Sequence, residues 1–140
     1  MAANNRKKIL FLCTGNSCRS QMAEGWTRHL HDDRIQVASA GIETHGLNPM
    51  AVEAMKKHGV DISNHHSKLV DELSDISFDL VITVCGHADK NCPLFPGTTE
   101  IIHHGFADPP ELAENYDTEE EKLACYLAVC REIKEYVEGL

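Results

Sequence analysis

Residues 78–85, FDLVITVC, are apolar almost throughout, and such a run suits a strand inside a sheet that is covered on both faces. A strand with one wet face alternates apolar and polar residues, and this one does not. It is therefore expected to be a central strand, and the rest of the chain supplies its neighbours and covers. Lys8 to Leu12 is a second short β-branched and aromatic run, and residues from Cys18 to about His31 carry Met22, Ala23, Trp26 and Leu30 at helical spacing. Ile35 to Ala38 reads as a strand closing at Ser39-Ala40-Gly41. Asn48-Pro49 offers a cap and a first-turn proline for a helix ending at Gly59. Ser63 to Ile76 suggests one or two short helical turns. A loop with Pro93, Pro96 and Gly97 precedes a brief strand near Glu100 to His103, and Ala107-Asp108-Pro109-Pro110 reads as a turn. From Thr118 a long helix carries Leu123, Tyr126, Leu127, Cys130, Ile133, Tyr136 and Val137 on one stripe. Strands separated by helices predict an α/β fold with a parallel, doubly covered sheet, whose ligands bind at the carboxyl ends of the strands.

A chain of 140 residues suits one domain, residues 1–140, able to bury a real core. With 22 acidic and 13 basic side chains its net charge is −9, which speaks against nucleic acid or an anionic membrane as partner. The apolar run that follows the basic start MAANNRKK, Ile9 to Leu12, is too short for a signal segment or a membrane span, so a cytoplasmic protein is expected. Its six cysteines are then free thiols, metal ligands or redox groups rather than a disulfide framework.

The first strand runs straight into Cys13-Thr14-Gly15-Asn16-Ser17-Cys18-Arg19, a C-x5-R segment that ends where a helix begins. Backbone N–H groups of such a loop can curl around a tetrahedral oxyanion at the helix N-terminus. Gly15 and Asn16 tolerate left-handed backbone angles, and Arg19 adds a permanently charged bidentate fork. The positive field is expected to lower the Cys13 pKa to give a thiolate, with Ser20 donating a hydrogen bond to its sulfur. The oxyanion site thus comprises Thr14, Gly15, Asn16, Ser17, Cys18, Arg19 and Ser20 around a nucleophile, Cys13. The nine histidines include the pairs His65-His66 and His103-His104. Adjacent strand residues point to opposite faces, and no ligand spacing emerges, so no metal is expected.

CTGNSCRSQMAEGW, SAGIETHG, ISNHHSK, CGHADKNCP and GFADPP together make the chain resemble the thioredoxin-coupled arsenate reductases, which share a fold with low-molecular-weight protein tyrosine phosphatases. The resemblance implies a single-domain, three-layer sandwich with a four-stranded parallel sheet flanked by helices. It also implies reduction of arsenate to arsenite. Cys13 attacks arsenate, Asp108 protonates the departing oxygen, Cys85 attacks the Cys13 sulfur, and Cys92 moves the disulfide onto the Cys85–Cys92 pair. No cofactor is bound, and thioredoxin, or alternatively glutaredoxin, supplies the electrons. A phosphatase would need only Cys13, Arg19 and Asp108, and an oxyanion-binding redox sensor would need no turnover.

Were residues 85–92 helical, the Cα atoms of the two cysteines would lie about 10 Å apart, beyond the roughly 7 Å a disulfide allows, so the segment must unwind to oxidise. Gly86, Asp89, Asn91 and Pro93 weaken helix there. Cys18 is expected to be structural, with an off-pathway Cys13–Cys18 disulfide conceivable, and Cys125 and Cys130 belong to the last helix. Some members of the family hold potassium through Asn, Glu, Ser and Asp. Here Asn16, Glu24 and Ser39 match, but Lys68 stands in the fourth place, so its ammonium is expected to replace the cation. Nothing in the residues suggests an obligate interface, and a monomer is expected.

Overall fold

The computed structural model describes residues 6–140; the first five residues of the basic N-terminal stretch lie outside it. Four strands, β1 (Lys7–Cys13), β2 (Ile35–Gly41), β3 (Leu80–Thr83) and β4 (Glu100–His103), form one parallel sheet in the order β2-β1-β3-β4. Helices α1 (Arg19–His31), α2 (Pro49–Lys57), α3 (Gly86–Lys90), α4 (Pro109–Ala113) and α5 (Glu119–Glu138) flank it, with a 3-10 turn at Val70–Leu73. The two interior strands are the two most apolar ones. Ile9 to Leu12 and Leu80 to Ile82 are buried, whereas β4, at the edge, leaves Ile101 exposed.

Several elements begin where local chemistry dictates. The Asn48 side chain accepts from Met50 N–H at 2.8 Å and Pro49 sits in the first turn of α2, where its missing N–H is not needed. Thr118 accepts from Glu121 N–H at 3.1 Å to open α5, with Glu119, Glu120 and Glu121 at the positive end of the helix dipole.

Three expectations need correction. The central strand is only Leu80–Thr83 rather than Phe78–Cys85, because Cys85 caps α3, its sulfur accepting from Ala88 N–H at 3.4 Å. The Ala107–Pro110 turn opens into α4, since Pro109 and Pro110 stand in its first turn. The buried stripe of α5 is Tyr126, Val129, Cys130, Ile133 and Val137; Leu123, Leu127 and Tyr136 are only half-buried along its flanks.

Register sets the rest. β1 and β3 pair with Leu12 opposite Thr83, and Val84 N–H continues the ladder to the Leu12 carbonyl at 2.9 Å. The chain thus leaves both central strands side by side, with Cys13 ending one and Cys85 lying just beyond the other.

Candidate active site

The loop after β1 is shaped by what holds its carbonyls. Those of Cys13, Thr14, Gly15 and Ser17 accept from the N–H groups of Ile42, Glu43, His45 and Asn48, at 2.9 to 3.1 Å. The Asn16 carbonyl accepts from Gln21 Nε2 at 3.0 Å, and Ser67 Oγ adds a second bond to Gly15 at 2.7 Å. In a planar trans peptide the C=O and N–H point opposite ways, so carbonyls drawn outward turn the following N–H groups inward. The result is a cavity of about 330 Å³ lined by Cys13, Thr14, Gly15, Ser17, Cys18, Arg19, His45, Asp108 and Pro110.

Asn16 is the hub. It has φ 49°, the one non-glycine positive φ among the described residues, and it is fully buried. Its Nδ2 donates to Ser20 Oγ at 2.9 Å and Ser39 Oγ at 3.0 Å, while its Oδ1 accepts from Gln21 Nε2 and Lys68 N–H. The expected bond from Ser20 to Cys13 is not formed among the described residues; Ser20 faces Asn16 instead.

Arg19 is oriented across the cavity. Its Nη1 donates to the Phe106 carbonyl at 3.0 Å, and its Nη2 lies 3.7 Å from Asp108 Oδ1. The guanidinium and the carboxylate therefore stand together in the cavity lining.

Protons are distributed differently from the expectation. The neighbouring Cys85 sulfur and burial raise the Cys13 pKa well above the ordinary thiol value despite Arg19. Cys85 is drawn down to about 4, first by accepting from Cys13, then by the Thr14 hydroxyl, whose Oγ1 lies 3.1 Å from its sulfur, and by Ala88 N–H. The Thr14 hydroxyl and the Ala88 N–H thus favour a thiolate on Cys85, which arrives beside the loop from β3.

Cys92 stands apart. It lies half-buried beyond α3, whose Asn91 N–H still bonds the His87 carbonyl at 3.0 Å, and burial and Asp89 raise its pKa. The other cysteines serve packing. Cys18 is buried in the loop, Cys130 accepts from Trp26 Nε1 at 3.3 Å, and Cys125 lies at the flank of α5.

Behind Asn16, Ser39 Oγ donates to Glu24, which also faces Arg28 Nη1 at 2.7 Å and Lys68 Nζ at 4.0 Å. With two side-chain cations on that carboxylate, the cluster does not fit a potassium ion. Three contributors escaped the sequence reading: Gln21 and Ser67 as braces, and His45, whose motif IETHG was noted without a role for the histidine.

A family model described as low molecular weight phosphotyrosine protein phosphatase matches residues 8–140. An arsenate reductase from Halalkalibacterium halodurans is 52% identical over 129 residues, 92% of this chain and 91% of that protein. Arsenate reductase 2 of Staphylococcus epidermidis is 56% identical over 105 residues, 75% of this chain and 80% of its own. Among solved structures, the low molecular weight protein tyrosine phosphatase from T. tengcongensis superposes with TM-score 0.74 at 26% identity, covering 94% of this chain and 95% of that one. A thioredoxin-dependent arsenate reductase from Corynebacterium glutamicum gives 0.65 at 25% identity, covering 97% and 64%.

Proposed function

Because this chain belongs to the low-molecular-weight phosphotyrosine protein phosphatase family and its relatives at 52% and 56% identity are arsenate reductases, we propose that it reduces arsenate to arsenite through three thiols, with thioredoxin as electron donor. The observation that carries this reading is Cys85, a second thiol brought to the cradle from the end of β3, its sulfur 3.1 Å from the Thr14 hydroxyl oxygen. Ester hydrolysis through a phosphocysteine has no use for it; moving two electrons onto arsenic requires it.

In the first step the Cys13 sulfur attacks arsenate held by the loop N–H groups and Arg19. One arsenate oxygen leaves as water, taking its protons from the thiol and the substrate with Asp108 relaying them, and a Cys13 S–As(V) bond forms. The Cys85 thiolate then attacks the Cys13 sulfur. The S–As bonding pair departs with arsenic, which becomes As(III), and a Cys13–Cys85 disulfide remains. Cys92 attacks Cys85 next, releasing Cys13. This last step requires α3 to unwind, because Cys85 caps its start and Cys92 lies beyond its end. A thioredoxin dithiol finally reduces the Cys85–Cys92 disulfide. The solved thioredoxin-dependent relative supports that choice of donor. The role assigned is arsenic detoxification in the cytoplasm.

The test is arsenate-dependent NADPH oxidation with thioredoxin and thioredoxin reductase, comparing wild type with Cys92→Ser. Sustained turnover in the wild type and none beyond one equivalent in the variant supports the relay. Turnover only with glutaredoxin changes the donor. Absence of arsenate turnover, with aryl phosphate hydrolysis untouched by the substitution, assigns the chain to ester hydrolysis.

Lys68 leads to a second expectation. Since its ammonium faces Glu24 beside Asn16 and Ser39, replacing sodium by potassium at constant ionic strength is expected to leave kcat/KM for arsenate unchanged. A clear rise in potassium overturns it.

A further inference from the structure

The anion cavity has a rim as well as a floor. The floor is the loop from Cys13 to Arg19; His45, Asp108 and Pro110 complete the lining. His45 is held from three directions. Its backbone N–H donates to the Gly15 carbonyl at 2.9 Å. Its imidazole presses so closely on the Gly15 Cα that a Cβ built there would lie 2.2 Å from Nδ1 and 2.4 Å from Cγ. Its Nε2 pairs with the Glu43 carboxylate at 2.5 Å. A half-exposed side chain without such ties samples several rotamers; this one forms a fixed wall.

We propose that His45 is the specificity-determining residue of the cradle. Clamped between Gly15 and Glu43, it narrows the mouth so that inorganic tetrahedral oxyanions are accepted and aryl phosphomonoesters are disfavoured. The inference rests on the reductase reading above and extends it to substrate choice.

The reasoning is geometric. Displacement by Cys13 proceeds in line, so the departing oxygen points away from the sulfur and out through the mouth. In arsenate that oxygen carries at most a proton. In an aryl ester it carries a ring, which must pass the lining residues outside the loop, His45, Asp108 and Pro110. None of the cavity-lining residues is a Phe, Tyr or Trp to receive that ring. Gly15 belongs to the same device, because only a residue without a Cβ lets the imidazole descend onto the loop.

The test measures kcat/KM for arsenate in the thioredoxin-coupled assay and for para-nitrophenyl phosphate, in wild type, His45→Ala, His45→Leu and Glu43→Gln. The readout is the ester-to-arsenate ratio. His45→Ala is expected to raise it roughly tenfold or more, chiefly through a lower ester KM. His45→Leu, which restores bulk without an aromatic face, is expected to keep the ratio near wild type, and Glu43→Gln, which unpins the ring, to fall between. An unchanged ratio in His45→Ala overturns the proposal, as does a rise in His45→Leu equal to that in the alanine variant. If His45→Ala does not fold, Glu43→Gln decides: a raised ratio supports the wall and an unchanged one overturns it. Absence of wild-type arsenate turnover defeats the reductase reading itself, whereas turnover with an unchanged ratio defeats only the wall.

Discussion

Arsenite release is expected to fall to zero in Cys85→Ser, while Cys92→Ser still delivers one arsenite per protein molecule before it stalls. The asymmetry follows from where the electrons go. Arsenic is reduced only when a second sulfur takes the Cys13 sulfur and leaves the bonding pair on arsenic, and a serine hydroxyl cannot form that disulfide. In the proposed relay Cys92 acts after arsenite has gone. The structure prepares Cys85 for the role: Cys13, the Thr14 hydroxyl at 3.1 Å and Ala88 N–H all stabilise its thiolate, whose pKa is about 4. A quenched single turnover without external reductant, with arsenite quantified directly, checks the prediction. The ultraviolet absorbance of the thiolate, titrated from neutral pH towards about 4, should lose its signal in the same variant. Arsenite from Cys85→Ser would place the electron transfer elsewhere.

Asn16→Ala is expected to be the most destabilising single change in the loop. The residue is fully buried with φ 49°, and its amide joins Ser20, Ser39, Gln21 and the Lys68 N–H. Alanine at a left-handed angle costs about 1 kcal/mol. Buried partners left unsatisfied cost about 1–3 kcal/mol each, though not additively within one network. A total near 4 kcal/mol corresponds to a fall in Tm of roughly 12 °C for a chain of this size. Thermal unfolding followed by circular dichroism measures it, and a fall of less than about 3 °C would mean that the network contributes little. The KM for arsenate should rise in parallel, since the same amide holds the curvature that turns the loop N–H groups inward.

Much of the fold was legible because the signals are local. Uninterrupted apolar runs located the two interior strands, Asn48-Pro49 and Thr118 marked helix starts, and the C-x5-R spacing implied a loop at a strand end. What escaped depends on contacts distant in sequence. The approach of Cys85 to the Cys13 loop is set by β1 and β3 lying side by side, a relation between residues 72 positions apart. Ser20 turned to Asn16 because Ser39, from β2, completes a buried polar cluster there. The rim position of His45 depends on the β2–α2 connection folding back over the loop, which no periodicity in the chain announces. Lys68 did reach Glu24, as its place in the family pattern implied, while Arg28, one helical turn from Glu24, supplied a closer cation that the reading had passed over.

The segment after β3 carries almost none of the burden of the core. Of Gly86 to Asn91 only Ala88 is buried, whereas the loop that grips the anion is braced from β2, α1 and the stretch before the 3-10 turn. The link between the two outer thiols therefore lies outside the packing that holds the cradle, and that bears on how such an enzyme can arise. A lineage that already owned the cradle would need one buried thiol at position 85, against the loop, and a second at position 92, while the stretch between them is free to vary without unsettling the packing that keeps the cradle in shape. Oxyanion chemistry of one kind would then lie only a few substitutions from chemistry of another, and the intermediates between them would remain folded throughout.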